Sequence, residues 1–248
     1  AFNTMTLVPL DLSTLPRDQL EDMVIAGEQA LECMRVLGKT GDSIVGEVVD
    51  DFETFAVWSH YPKGDVIDRQ THSQFYYHAH PEQQRPGEHG HFHLFLRRDG
   101  IPENIQPADI GVDNALDDFK TPMCHLLAIA MNSNGMPIAL FTTNRWVTMD
   151  PWFNATDTIS LLDQFDVDIA KPSWPLSVWM TAMVRLYRPD IEVLLHERDA
   201  LMSDAQEKNT DGNAYNDRSI EITSLLDIDL ADRIDAVNAA WTAAEISA

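Results

Sequence analysis

The chain has 248 residues, 44% of them hydrophobic, which supplies a proper core and excludes disorder of the whole chain. Its 40 acidic against 17 basic residues give a formal charge of −23, a surface that repels phosphate backbones and anionic head groups. Nucleic acid and bare membranes are therefore expected to be poor partners, and the longest clean apolar run, Leu126 to Met131, is too short to cross a bilayer.

Ala1 to Leu10 has neither the basic opening nor the long apolar segment of a secretory signal. Near the start, Ser13 or Thr14 is expected to cap a helix entered through Pro16. Leu20, Met23, Val24, Ala30, Leu31 and Met34 recur at helical spacing until Gly38 stops it. Cys33 and Cys124 are far apart with no CxxC spacing, so neither a disulfide framework nor a thiolate zinc site is indicated; a soluble, cytoplasmic, acidic protein is expected.

In the middle of the chain the period changes from helical to alternating, the signature of strands. From His72 to His80 the even positions read His72, Gln74, Tyr76, His78, His80 and the odd ones Ser73, Phe75, Tyr77, Ala79. From His89 to Arg97 the odd positions read His89, His91, His93, Phe95, Arg97, against Gly90, Phe92, Leu94, Leu96. Each strand therefore has one imidazole-rich face and one core face. Pro81 to Glu88, with two prolines and a glycine, reads as the loop joining them antiparallel. If His80 faces His89, then His78 faces His91 and Tyr76 faces His93, and the histidine faces stack.

Leu126 to Met131 and Pro137 to Val147 flank Asn132-Ser133-Asn134-Gly135, where Asn134-Gly135 is a strong hairpin signal because both residues tolerate positive φ. Further on, Leu176, Trp179, Met183, Leu186, Ile191 and Leu194 mark a helical region from about Pro175 to Met202, kinked or divided by Pro189. Ser203 to Asn216 reads as a polar mobile loop, and Ile228 to Ala244 as a final helix with Ile234, Val237 and Trp241 inward. There is no internal repeat and no linker composition. The expected organisation is one domain over 1–248: a helical segment (1–45), a β-rich site-bearing core (50–150) and a mainly helical part (155–248).

Imidazole is neutral near physiological pH, presents a nitrogen lone pair, and is the commonest protein ligand for zinc, copper, iron and nickel. His78, His80, His91 and His93 are the ligand candidates, with Glu88 as the nearest carboxylate. His60, His72, His89 and His125 are secondary candidates to complete or orient the shell. Three imidazoles, or two with a carboxylate, leave a coordination position open for water or substrate. Tyr76 and Glu88 are the candidates for proton transfer.

Other chemistries find less support. Glu192 and His196 sit four apart on a helix without an H-E-x-x-H, Cys124 and His125 point to opposite faces of a strand, and there is no P-loop, G-x-S-x-G elbow or dinucleotide fingerprint. His91-Phe92-His93 is similar to the paired histidines of the cupin superfamily, metal-binding β-barrels. The glutamate that should follow is missing from Leu94-Phe95-Leu96-Arg97-Arg98-Asp99, which offers only Asp99. The likeness is one of ligand logic on a different scaffold.

The sequence thus predicts an α+β domain, an antiparallel sheet of about four to six strands with a histidine-rich hairpin, packed by N- and C-terminal helices on one face. The function expected is that of a divalent-metal enzyme (iron, zinc or copper) acting on a small molecule by Lewis-acid or oxygen-activating chemistry, as an oxidoreductase, lyase or hydrolase. The alternatives are metal binding, sensing or delivery to a protein partner without catalysis, a metal-free His/Tyr acid–base enzyme, and a structural subunit.

Overall fold

A computed structural model describes residues 6–49, 56–81, 83–209 and 212–246. Its strands are β1 (Thr6–Leu7), β2 (Tyr61–Ile67), β3 (Ser73–His78), β4 (Gly90–Arg97), β5 (Met123–Met131), β6 (Pro137–Thr143) and β7 (Ile222–Asp227). They form one open sheet in the order β1-β7-β6-β5-β4-β3-β2, with every pair antiparallel except β1 and β7. Seven strands exceed the four to six expected. The excess has physical causes. β1 is two residues long, and β2 is interrupted by Pro62, Gly64 and a left-handed Asp65 (φ 60°), so neither shows alternation.

The helices are α1 (Arg17–Gly38), α2 (Arg145–Thr148), α3 (Ala155–Leu162), α4 (Trp174–Leu186), α5 (Arg188–Lys208) and α6 (Leu230–Ile246). Pro16 itself occupies the N-cap of α1. Ser13 and Thr14 instead belong to a 3-10 turn whose cap is Asp11, its carboxylate accepting from the Ser13 N–H at 2.9 Å. Pro189 divides the C-terminal helical region by sitting in the first turn of α5, where a missing N–H has no partner to lose. The expected loop from Ser203 is helical as far as Lys208, because Met202 and Ala205 bury against Ile110 and Trp152.

The β5–β6 hairpin forms as expected, but Gly135 takes the left-handed conformation (φ 73°) and Asn134 does not. Asn132 organises the turn, its side-chain oxygen accepting from the N–H groups of Asn134 (2.9 Å) and Met136 (3.0 Å). Strand β6 stops at Thr143 rather than Val147, since Asn144 caps α2 by accepting from the Arg145 N–H at 2.7 Å.

One face of the sheet carries Phe75 and Tyr77 of β3, Phe92, Leu94 and Leu96 of β4, and Leu127 and Ile129 of β5. These join a continuous apolar core with Leu20 and Met23 of α1, Trp179 of α4, Leu194 of α5 and Ile234 of α6. Each side chain buried so completely stabilises the fold by about 1.5–3 kcal/mol. The core residues of the alternating pattern hold that face, which leaves the histidines for the other.

Candidate metal centre

The β3–β4 register pairs Tyr76 with His93 and His78 with His91, the pairing that the alternation predicts. Opposed residues on neighbouring strands bring their side chains within contact. The ring centroids of His78 and His91 lie 4.4 Å apart, those of His91 and His93 4.8 Å, and those of His78 and His80 5.1 Å. Gly90 makes the close approach possible: a Cβ there would meet the His78 carbonyl oxygen and the Tyr77 ring at 2.6 Å.

Three of these rings converge. One nitrogen each from His78, His80 and His91 lies within 4.8 Å of the others, a group that could hold a metal ion. The Nε2 atoms of His78 and His80 are 3.3 Å apart. Behind them, His91 Nδ1 is 2.5 Å from Glu88 Oε1 and His80 Nδ1 is 3.3 Å from Gln84 Oε1. An oxygen acceptor at Nδ1 fixes the tautomer with the proton there, so that Nε2 presents its lone pair. Glu88 therefore stands behind His91, and its other oxygen meets Arg85 at 3.4 Å.

His93 is fully buried, its Nδ1 2.9 Å from His125 Nε2 and its Nε2 without a partner among the described residues. Simple alternation puts His125 on the core face with Leu127 and Ile129. A bulge at Leu126, between the pairs Leu94–Leu127 and Phe95–His125, reverses the parity and turns His125 to the histidine face. It leaves Cys124 buried on the core side, its thiol pushed up to about 12 by that burial.

The remaining candidates stand outside the converging group of three. His60 stacks on Tyr76 (centroids 3.7 Å apart, planes 8° apart), with its Nδ1 3.5 Å from Asp65. His72 precedes β3 in a left-handed conformation (φ 64°), so it leaves the face its parity assigned. His89 lies just before β4 and places its Nδ1 2.7 Å from the Tyr77 hydroxyl, which belongs to the core face. Glu192 pairs with Arg188, and His196 is exposed.

Gln84, Arg85 and Glu88, between β3 and β4, tie that connection to the site and its surroundings. Arg85 spans Glu88 and, at 2.5 Å, Glu221 just before β7, and its guanidinium lies 4.9 Å from the Phe141 ring centre. The nearby histidines are held neutral. Burial drives His78 and His125 down to about 3 and lowers His80, and it carries His91 and His93 well below the usual imidazole range, with neighbouring cations adding to the effect. Neutral imidazole is the ligating form.

A pocket of about 280 Å³ opens beside the centre. It is lined by Tyr76, His60, Phe95, Phe119 and Asp150 among others, and among the described residues it reaches the triad through Tyr76 and His60. Tyr76 is 5.6 Å and His60 5.8 Å, centroid to centroid, from His78. Asp150, which no sequence motif marked, is 7% exposed and has one carboxylate oxygen without a partner among the described residues. Burial lifts its carboxyl to about 7.

No helix among the described residues is long and apolar enough to cross a membrane. Neither the curated proteins nor the solved structures yield a match to the chain. Residues 24–228 match a family described as "Domain of unknown function (DUF6969)". The match extends from within α1 to just past β7 and includes every histidine of the array, so the chain belongs to the DUF6969 family.

Proposed function

We propose that this protein is a metal-dependent enzyme acting on a small molecule, with a divalent transition ion (iron, zinc or copper) held by His78, His80 and His91. The observation that carries the reading is the convergence of three imidazole nitrogens within 4.8 Å, two of the rings oriented from behind by Glu88 and Gln84. Three neutral ligands leave a position for water or substrate, and an ion bound there supplies Lewis-acid or oxygen-activating chemistry. His93 lies behind the triad, tied to His125, and serves as an orienting neighbour or fourth ligand. Glu88 acts by positioning His91. Tyr76, on the wall between pocket and histidines, is the group placed to assist proton transfer.

A second reading, metal binding without catalysis, is favoured by the pocket's meeting the triad through Tyr76 and His60, with none of the three triad histidines lining it.

Elemental analysis of protein purified without chelators, beside the His78→Ala/His91→Ala double variant, tests the centre. Near-stoichiometric metal in the parent and its loss from a folded variant are expected. An absence of metal after reconstitution, or unchanged metal in the variant, overturns the reading. Turnover by the loaded protein then separates catalysis from storage or sensing.

A further inference from the structure

The pocket beside the histidines has a chemistry of its own. Its walls are aromatic, with Tyr76, Phe95 and Phe119, and two carboxylates, Asp65 and Asp150, line it. Asp65 is already engaged, accepting from the Gln74 side-chain amide at 2.7 Å and lying 3.5 Å from His60. Asp150 is not. Its carboxyl is almost wholly removed from solvent, receives a hydrogen bond from the Thr148 side chain, and keeps Oδ2 without a partner among the described residues. The nearby buried guanidinium, that of Arg198, is taken up by Asp199 at 2.7 Å and by the Phe153 carbonyl oxygen at 2.7 Å. A buried carboxylate left this way is costly, and the cost falls when a cation donates to it.

We propose that this pocket binds a small organic cation, an amine carried on an aromatic or compact apolar body, with the ammonium group directed to Asp150. Aromatic faces attract a cation and bury its apolar body, while a carboxylate gives it a charge-assisted hydrogen bond. The volume of about 280 Å³ suits a ligand of one ring and a short chain. Two carboxylates lining the site and a chain charge of −23 disfavour an anion, although Lys120 also lines the pocket. The proposal does not rest on the metal reading, because none of the three triad histidines lines the pocket.

The test is calorimetric titration of the full chain, dialysed against EDTA, with 2-phenylethylamine, 2-phenylethanol and phenylacetate, and the same series with Asp150→Asn. The amine is expected to bind at least tenfold more tightly than the alcohol, with phenylacetate weakest. Asp150→Asn should weaken the amine at least tenfold and leave the alcohol within threefold. Equal affinity for amine and alcohol, preference for phenylacetate, or no binding of the amine overturns the proposal, as does an unaltered amine affinity in Asp150→Asn. The ligand series on the parent chain decides the matter even if the variant does not fold.

Discussion

Glu88→Gln tests whether the histidine centre is oriented from behind. The substitution keeps the side chain's size and an oxygen acceptor but removes the charge that faces His91 Nδ1 at 2.5 Å. It also allows the amide to present its NH2 group to the ring, which favours the wrong tautomer. Loss of such a partner lowers metal affinity about 10–100-fold, or about 1.4–2.7 kcal/mol. Glu88 also meets Arg85, so a change in loop position must be separated from a change in ligand basicity. Glu221→Gln does this, since it removes the other carboxylate on Arg85 at 2.5 Å without touching His91. Competitive titration of zinc or cobalt against a chromophoric chelator measures both. The expected result is a large loss for Glu88→Gln and less than about a threefold change for Glu221→Gln. Equal losses would place the effect in the loop, and an unchanged affinity in Glu88→Gln would refute the orienting role.

Stability of the metal-free protein should fall in acid. His78 and His125 have folded values near 3 against about 6.5 in the unfolded chain, so their contribution is complete above pH 6.5 and is lost as pH falls toward 3. Asp150, lifted to about 7, works in the opposite direction, as do Glu47, Glu88 and Asp190, which burial also raises, but they stand against six histidines shifted downward. Thermal melts should show Tm dropping on the order of 10 °C between pH 6.5 and 5; a flat profile would contradict the buried neutral array. Gly90→Ala should cost about 1–3 kcal/mol in denaturant unfolding and displace β3 from β4, weakening metal binding as well, because its Cβ meets backbone at 2.6 Å. On the helical side, Asp190→Ala strands Arg233, 6% exposed and paired with that carboxylate, and should cost about 3–5 kcal/mol; Asp190→Leu/Arg233→Met should recover much of it.

The histidine face was legible because β3 and β4 alternate without interruption over the residues that matter, so parity alone fixes which rings meet. His125 was not assignable by the same rule. The bulge at Leu126 that reverses its parity comes from pairing with β4, a long-range event with no local signature in Cys124-His125-Leu126-Leu127. His72 and His89 mark the opposite failure, where parity was carried past the ends of the strands into left-handed or loop backbone. Asp150 was invisible for a simpler reason. An aspartate before a proline looks like turn chemistry, and its burial depends on packing contributed by distant segments. The C-terminal helices were readable from their apolar spacing, but β7 was missed because tertiary pairing with β6 and β1, not composition, makes it a strand.

The bridge from Arg85 to Glu221 joins residues 136 positions apart, and it ties the connection between β3 and β4 to the segment leading into the strand that pairs with both β1 and β6. During synthesis, a ribosome that has delivered β3 and β4 has exposed every triad histidine, Glu88 and Gln84, yet the anchor of their loop is still unmade. The histidine cluster is therefore complete in composition long before the Arg85–Glu221 bridge can form, and an emerging chain passes through an interval in which the histidines are present and their loop is unanchored. On the proposed metal reading, an ion would load more easily in that interval than into the finished protein. Exchange afterwards would then be limited by how often Arg85 releases Glu221.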